Sequence, residues 1–475
     1  MIHRFFTLCL LPAASALAAD VYQAQGLMSG ELTQTQVLLQ TRLTAIPGPT
    51  LDEAGDVPGS PGWVAFEWSE RPDFEGGKRS ATMEALAERD YIVRQQVSDL
   101  QPGQAYYFRS WIGASAQDLH AGLTGRFQTL PAADSESEIQ FCMGSCMNYH
   151  KFLDGKKAGG DVKVVTASAE DKQLGYPVFA AMEALHPQFF IGTGDIVYYD
   201  NKMNGPAETL PQLRACWHEQ FRFPRLVSFF ENVPGYWSKD DHDFRFNDSD
   251  NASAKLPLPQ TGIEIFREQM PIFPLGDETT PTYRTHRLNR YVQLWFSEGR
   301  DFRSPNKMPD GPQKTLWGAE QKAWLERTLK ESDATWKILI SPTPMVGPDD
   351  AKKRDNHANL GGFRHEADEF FAWLEAEKIE GFMTFCGDRH WQFHSIHPSG
   401  VEEFACGALN DENSRVGVKP GAKNGTDPKG LIQQPYTYEH PTGGFLHVIC
   451  QANGQLTIEF RDDEGTLLHE VKKMP

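Results

Sequence analysis

Basic side chains are in short supply. The chain holds 46 Lys and Arg against 64 Asp and Glu, a formal net charge of −18. No basic stripe is left to follow a nucleic-acid backbone, so binding to one is not expected. Long apolar runs are also missing. The longest, residues 5–11 extended by 13–17, is shorter than the roughly 20 residues of a membrane span, and no later stretch reads as transmembrane. There is no Gly-x-Ser-x-Gly elbow and no His-Glu-x-x-His helix, which disfavours serine hydrolases and zinc proteases. Cysteine is sparse, at seven residues.

The amino terminus does carry a leader pattern. Arg4 precedes the apolar run and Ala16-Leu17-Ala18 follows it as a small-x-small cleavage signal. Residues 1–19 are therefore expected to be a signal peptide, and the mature protein to be periplasmic or extracellular. Without a twin arginine, the general secretion route is expected. Cys9 leaves with the leader. Cys142, Cys386, Cys406 and Cys450 lie in apolar, strand-like runs, where buried free thiols are preferred to any given disulfide.

A chain of 475 residues exceeds one ordinary core, so two domains are expected. Residues 20–131 are strand-like, with β-branched and aromatic runs at 37–43, 63–68 and 106–111. Residues 100–107 fit the turn and strand of a tyrosine corner, which predicts a small fibronectin- or Ig-like β-sandwich. Residues 132–138 are small and acidic, as in a linker. From 139 to 475 strands alternate with helices. Strands are predicted at 139–143, 189–191, 233–237, 336–340 and 381–385, and helices at 178–185, 216–230, 319–330 and 370–378. This is a layered α/β domain that ends in antiparallel β-structure. Residues 411–437 are polar and predicted to form a long surface loop.

Four short tips follow predicted strands: Gly144-Ser145-Cys146, Gly194-Asp195-Ile196-Val197-Tyr198, Asp240-Asp241-His242-Asp243 and Gly387-Asp388-Arg389-His390. Ligands of open α/β sheets bind beyond the carboxyl ends of strands. Alone, a Gly-Asp pair is usually a turn, and a cysteine in a strand is usually core. Four tips in α/β order point instead to one cleft able to hold two cations about 3.5–4 Å apart. The glycines let the backbone turn as each strand ends. Asp195 is the natural bridge between the cations. Cys146, Tyr198 and His390 join it in a thiolate, phenolate and imidazole set that favours Fe3+. Asp195, Asp241 and Asp388 form an oxygen set suited to Ca2+, or to Mg2+ or Mn2+. His242 is placed to touch substrate and protonate the leaving oxygen. Arg389, between two ligands on an extended segment, is expected to point out of the cleft.

At these residues the chain resembles the alkaline phosphatase D (PhoD-like) branch of the calcineurin-like metallophosphoesterases. Gly26-Leu27-Met28-Ser29-Gly30, Glu298-Gly299-Arg300-Asp301-Phe302-Arg303-Ser304 and Gly318-Ala319-Glu320-Gln321 extend the likeness over nearly the whole mature chain. The resemblance implies a four-layer α/β sandwich after the β-sandwich. It also implies hydrolysis of phosphomonoesters or phosphodiesters, by in-line attack of a metal-bound hydroxide. In the wider superfamily a histidine ligand follows the strand near 338–340. Here Ser341-Pro342-Thr343-Pro344 stands there, so the second metal is oxygen-bound. Lys353, Arg354 and His357, in a basic patch after that strand, are candidates for substrate binding. The expected partner is a phosphate-ester substrate, and the expected state a monomer. Two other readings remain: a diesterase specific for phospholipids or polymers, and a binding protein on a scaffold that has lost turnover.

Overall fold

The computed structural model describes residues 20–155, 166–200 and 205–475. The leader assigned to residues 1–19 lies outside the described residues. Two large sheets face each other. One has nine strands, in the order Leu467–Lys473, Leu456–Asp462, Gly444–Cys450, Ile139–Gly144, Phe189–Thr193, Gly235–Ser238, Leu27–Gly30, Val37–Arg42 and Ile92–Val97. The other has seven, in the order Arg284–Arg287, Val292–Phe296, Trp336–Ser341, Phe382–Cys386, Glu402–Cys406, Gln392–Ile396 and Gln433–Thr437.

Strand periodicity explains the layering. Phe141, Met143, Phe189 and Ile191 point between the sheets, where they meet Leu294, Ile338, Ile340 and Phe385. The alternate residues Cys142 and Phe190 point outward onto Phe179, Trp217, Phe229 and Phe266 of the covering helices. On the other outer face Leu339 packs against Leu325, Leu329 and Phe370. Strands buried on both faces need apolar residues at every position, as these runs have. These layers form a four-layer helix–sheet–sheet–helix sandwich.

The amino-terminal β-structure contributes a third sheet, built on Gly62–Ser69, Ala105–Ser115 and Asp118–Gln128. Tyr106 Oη accepts the Gln101 N–H at 3.0 Å, as a tyrosine corner does. Its partner sheet is not separate. Leu27–Gly30, Val37–Arg42 and Ile92–Val97 continue the nine-stranded sheet, joined through the parallel pair Gly30–Gly235. The hydrogen-bonded sheet therefore runs across the sequence division at 131.

Two predicted segments differ from the structure. The helix expected over 216–230 is two helices, Leu210–Phe221 and Pro224–Asn232. Pro224 occupies the first position of the second helix and holds Phe223 extended, which ends the first. The expected surface loop 411–437 begins with a buried turn, Asp411–Asn413, and ends in the strand Gln433–Thr437. Among the described residues no helix is long and apolar enough to cross a membrane. Cys142, Cys386, Cys406 and Cys450 are buried free thiols, as expected.

Candidate metal centre

The four tips converge where the parallel strands of both sheets end. A Cβ on Gly387 would lie 2.7 Å from Thr193 O and 2.5 Å from Ser145 Oγ, so a tip of the seven-stranded sheet touches two tips of the other. Of the tip glycines only Gly194, at φ +83°, uses the left-handed region. The candidate ligands themselves take the turn: Cys146, Asp195 and Asp388 have φ of 61°, 55° and 60°. Such backbone in non-glycine residues collects at functional sites, where surrounding structure holds it.

Cys146 Sγ donates to Asp195 Oδ2 at 3.4 Å, and Tyr198 Oη donates to the same oxygen at 3.0 Å. His390 Nδ1 donates to the Asn413 carbonyl at 2.7 Å, which leaves Nε2 as an acceptor. This bond fixes a ligating imidazole in one tautomer. Cys146, Asp195 and His390 offer donor atoms within 4.8 Å of one another. Two further groups meet the same limit: Asp195, Asp241 and His242, and Asp241, Asp248 and Asp355. Asp195 Oδ1, Asp241 Oδ1, Asp388 Oδ2 and both oxygens of Asp355 are buried without a hydrogen-bond partner, although Arg300 Nη2 lies 3.9 Å from Asp355 Oδ2. Bare buried carboxylate oxygens are costly unless a cation meets them, so the donor set fits metal.

The electrostatics agree. Burial, reinforced by Asp195, pushes the Cys146 thiol and the Tyr198 phenol well above their usual values. Burial likewise raises Asp195, with Asp241, Asp243 and Asp388 adding to it. A bound cation reverses that logic and favours the anions. Burial, with Arg415 and Lys151 beside it, holds His390 neutral. Burial pulls His242 down, but Asp241, Asp195 and Asp200 outweigh it and push it up to about 10. Asp241 is raised by burial, yet His242, Arg300 and Lys353 hold it below the usual carboxylate range.

The family described as PhoD-like phosphatase matches residues 141–464, which contain all four tips. Its companion, PhoD-like phosphatase, N-terminal domain, matches residues 11–131. The chain belongs to the PhoD-like phosphatase family. Alkaline phosphatase D of Bacillus subtilis (strain 168) is 24% identical over 452 residues, covering 86% of this chain and 71% of that protein. A solved structure of PhoD superposes with a TM-score of 0.70 at 18% identity, over 98% of this chain and 90% of that one. The purple acid phosphatase PPD1 of yellow lupin (Lupinus luteus) shares the fold, at TM-score 0.58 and 11% identity, over 94% of this chain and 73% of that one. The PhoD-like chain is a phosphoric ester hydrolase.

Other predicted residues fall differently around this phosphatase's cleft. The cleft, of about 510 Å³, is lined by Tyr198, His242, His390, Lys353, Asn413 and Arg415 among others. Lys353 reaches it, ion-paired with Asp248. Arg354 is exposed and does not line it. His357 is a correction: it is fully buried, its Nε2 is 2.9 Å from Glu366 Oε2, and its ring packs on Trp317. A buried partner of Glu366 cannot touch a substrate in this conformation. Asp388 stands in none of the clustered donor groups; the Arg389 guanidinium holds one of its oxygens, and the other is buried without a hydrogen-bond partner. Arg389 does not line the cleft, yet it lies against the tip carboxylate rather than apart from it. The alternation that would have separated them needs extended backbone, and Asp388 is left-handed.

Several site residues escaped the sequence reading. Asp200 accepts from His242 Nδ1 at 2.6 Å, and its place two residues after Tyr198 could have pointed to it. Asn413 donates to Cys146 O at 2.9 Å and Tyr198 Oη at 3.1 Å from a loop with no motif. Arg300, fully buried, donates to Asp240 Oδ1 at 2.7 Å and steadies the third tip from behind.

Proposed function

We propose that this phosphatase is an exported two-metal phosphoesterase. Cys146, Asp195, Tyr198 and His390 would hold Fe3+. Asp195, Asp241 and Asp388 would hold Ca2+, Mg2+ or Mn2+, with Asp248 and Asp355 widening the oxygen set. One observation carries the reading. Asp195 Oδ2 lies beside the thiol and the phenol, while Oδ1 is buried with no hydrogen-bond partner. One carboxylate can therefore face two cations. When bound, they supply Lewis acidity at phosphoryl oxygens and lower the pKa of water.

The chain's own residues supply the rest. His242 donates through Nδ1 to Asp200 and packs at a tilt on Tyr198, ring centroids 4.1 Å apart, so its orientation is fixed. Its Nε2 is left to hand a proton to the leaving oxygen. Lys353 brings a point charge toward non-bridging oxygens. The leader pattern of residues 1–19 supports export. The complete donor set argues against a binding protein that has lost turnover.

Metal analysis, visible absorption, and assays with p-nitrophenyl phosphate and bis-p-nitrophenyl phosphate test the reading together. Iron with a phenolate charge-transfer colour, and hydrolysis of at least one ester, are expected. Colourless protein carrying one zinc per chain would sink the metal assignment. No hydrolysis of either ester by metal-loaded protein would restore the binding-only reading.

A further inference from the structure

Arg415 lines the cleft yet plays no part in the chemistry above. We propose that Arg415, stacked with Trp391, forms an anion subsite at the cleft mouth, and that the preferred ester carries a second anionic group on its alcohol. This rests on the phosphoesterase reading.

Arg415 is exposed, and among the described residues no carboxylate pairs with its guanidinium, unlike Lys353 at the same cleft. It is nonetheless held in place. Its Cζ lies 5.2 Å from the centroid of the Trp391 ring, and Trp391 is only 2% exposed. Its N–H donates to His390 O at 2.9 Å, so the arginine is tied directly to a candidate ligand. Tyr438 Oη donates to His390 O at 2.9 Å and to Arg415 O at 3.3 Å, fastening both. Gly417 lets the chain pass against the ring: a Cβ there would lie 2.1 Å from Trp391 Nε1, so only glycine fits so close. A guanidinium restrained on an aromatic face loses little freedom on gripping an anion.

Position sets the ligand. Asp195, Asp241 and Asp388, at the floor, are 1%, 2% and 6% exposed. An arginine at the mouth reaches the outer part of a bound ester rather than the phosphoryl group at the floor. Lys151, donating to Asn413 Oδ1 at 2.8 Å, adds positive charge to the same lining. No aliphatic side chain lines the cleft among the described residues, so an acyl chain finds no wall there. A carboxylate or phosphate on the alcohol meets Arg415 instead.

The test compares kcat/KM of metal-loaded enzyme for 4-carboxyphenyl phosphate and its uncharged isostere 4-carbamoylphenyl phosphate. The methyl diesters of the same phenols are run in parallel. A preference of about tenfold for the carboxylate is expected, the worth of one charge-assisted contact. Arg415→Gln should bring the ratio to about one, and Arg415→Lys should keep part of it. Gly417→Ala, which pushes the segment off Trp391 but leaves the charge, should also lower the ratio. A larger preference for 1,4-phenylene bisphosphate would name phosphate as the group read. A wild-type ratio of one with full turnover, or a ratio unchanged in Arg415→Gln, overturns the subsite alone. No turnover of any ester overturns the phosphoesterase reading and the subsite with it.

Discussion

Tyr198 connects the two halves of the site, since its hydroxyl donates to Asp195, the proposed bridge, and its ring packs on His242. Tyr198→Phe keeps the ring and removes the oxygen. Visible absorption should disappear and iron retention should fall by tenfold or more, while the melting temperature of metal-free protein stays near wild type. A spectrum unchanged in the variant would take Tyr198 out of the iron set. The Asp200–His242 contact separates proton transfer from metal binding. Asp200→Asn should lower kcat about a hundredfold, within the usual range of general acid catalysis. The loss should be largest for poor leaving alcohols and small for p-nitrophenol, which needs no proton to depart. An equal loss for every leaving group would point to disturbed metal binding. Single residues were legible in the sequence where they stood in tips, as Cys146, Asp195, Tyr198, Asp241, His242 and His390 did. His357 was not. A histidine beside lysines reads as substrate-facing, and only the fold shows Glu366 waiting for it in the core.

At the scale of elements, each tip is aimed by a strand whose apolar residues are committed to one face or the other, so a register slip would turn every ligand away. That commitment made the strands readable. Breaks were harder to see. The apolar pattern over 216–230 continues through Pro224 with helical spacing, and only the chain geometry of proline divides it. The segment after residue 410 carries no pattern at all, yet its buried turn supplies Asn413, which contacts Cys146, Tyr198 and His390. Asn413→Ala removes two amide donors while keeping the carbonyl that holds His390. Metal affinity should fall by about 10- to 100-fold, as expected for a residue that orients ligands. Calorimetric titration of the metal-free variant would measure it. An unchanged affinity would make Asn413 a packing residue only.

For the whole molecule, the amino-terminal β-structure was legible from composition, but its attachment was not, because sheet continuity and buried ion pairs leave no local mark. Besides the Gly30–Gly235 pair and a shared apolar core, the attachment includes buried charge. His218, on the helix Leu210–Phe221, sits between Asp56 and Asp90, with Nδ1 2.7 Å from Asp56 Oδ1 and Nε2 2.6 Å from Asp90 Oδ2. Arg42 Nη2 reaches Asp90 at 3.0 Å, and Gln269 Nε2 donates to it at 2.8 Å. Burial pushes Asp90 up, but His218 and Arg42 outweigh it and hold the carboxyl well below its usual range. A depressed folded pKa gives stability that is fully present above the unfolded value, near 3.9, and is lost as pH falls through the folded one. Asp90→Asn leaves His218 and Arg42 buried without that charge, a loss of about 3 kcal/mol at pH 7. Denaturant midpoints at pH 7 and 5 should therefore differ between variant and wild type by similar amounts. The gap should narrow below about pH 4, where the wild type loses the same interaction by protonation. A gap that persists undiminished at pH 3 would mean that Asp90 acts through packing, and that the two parts of the chain are not held together by its charge.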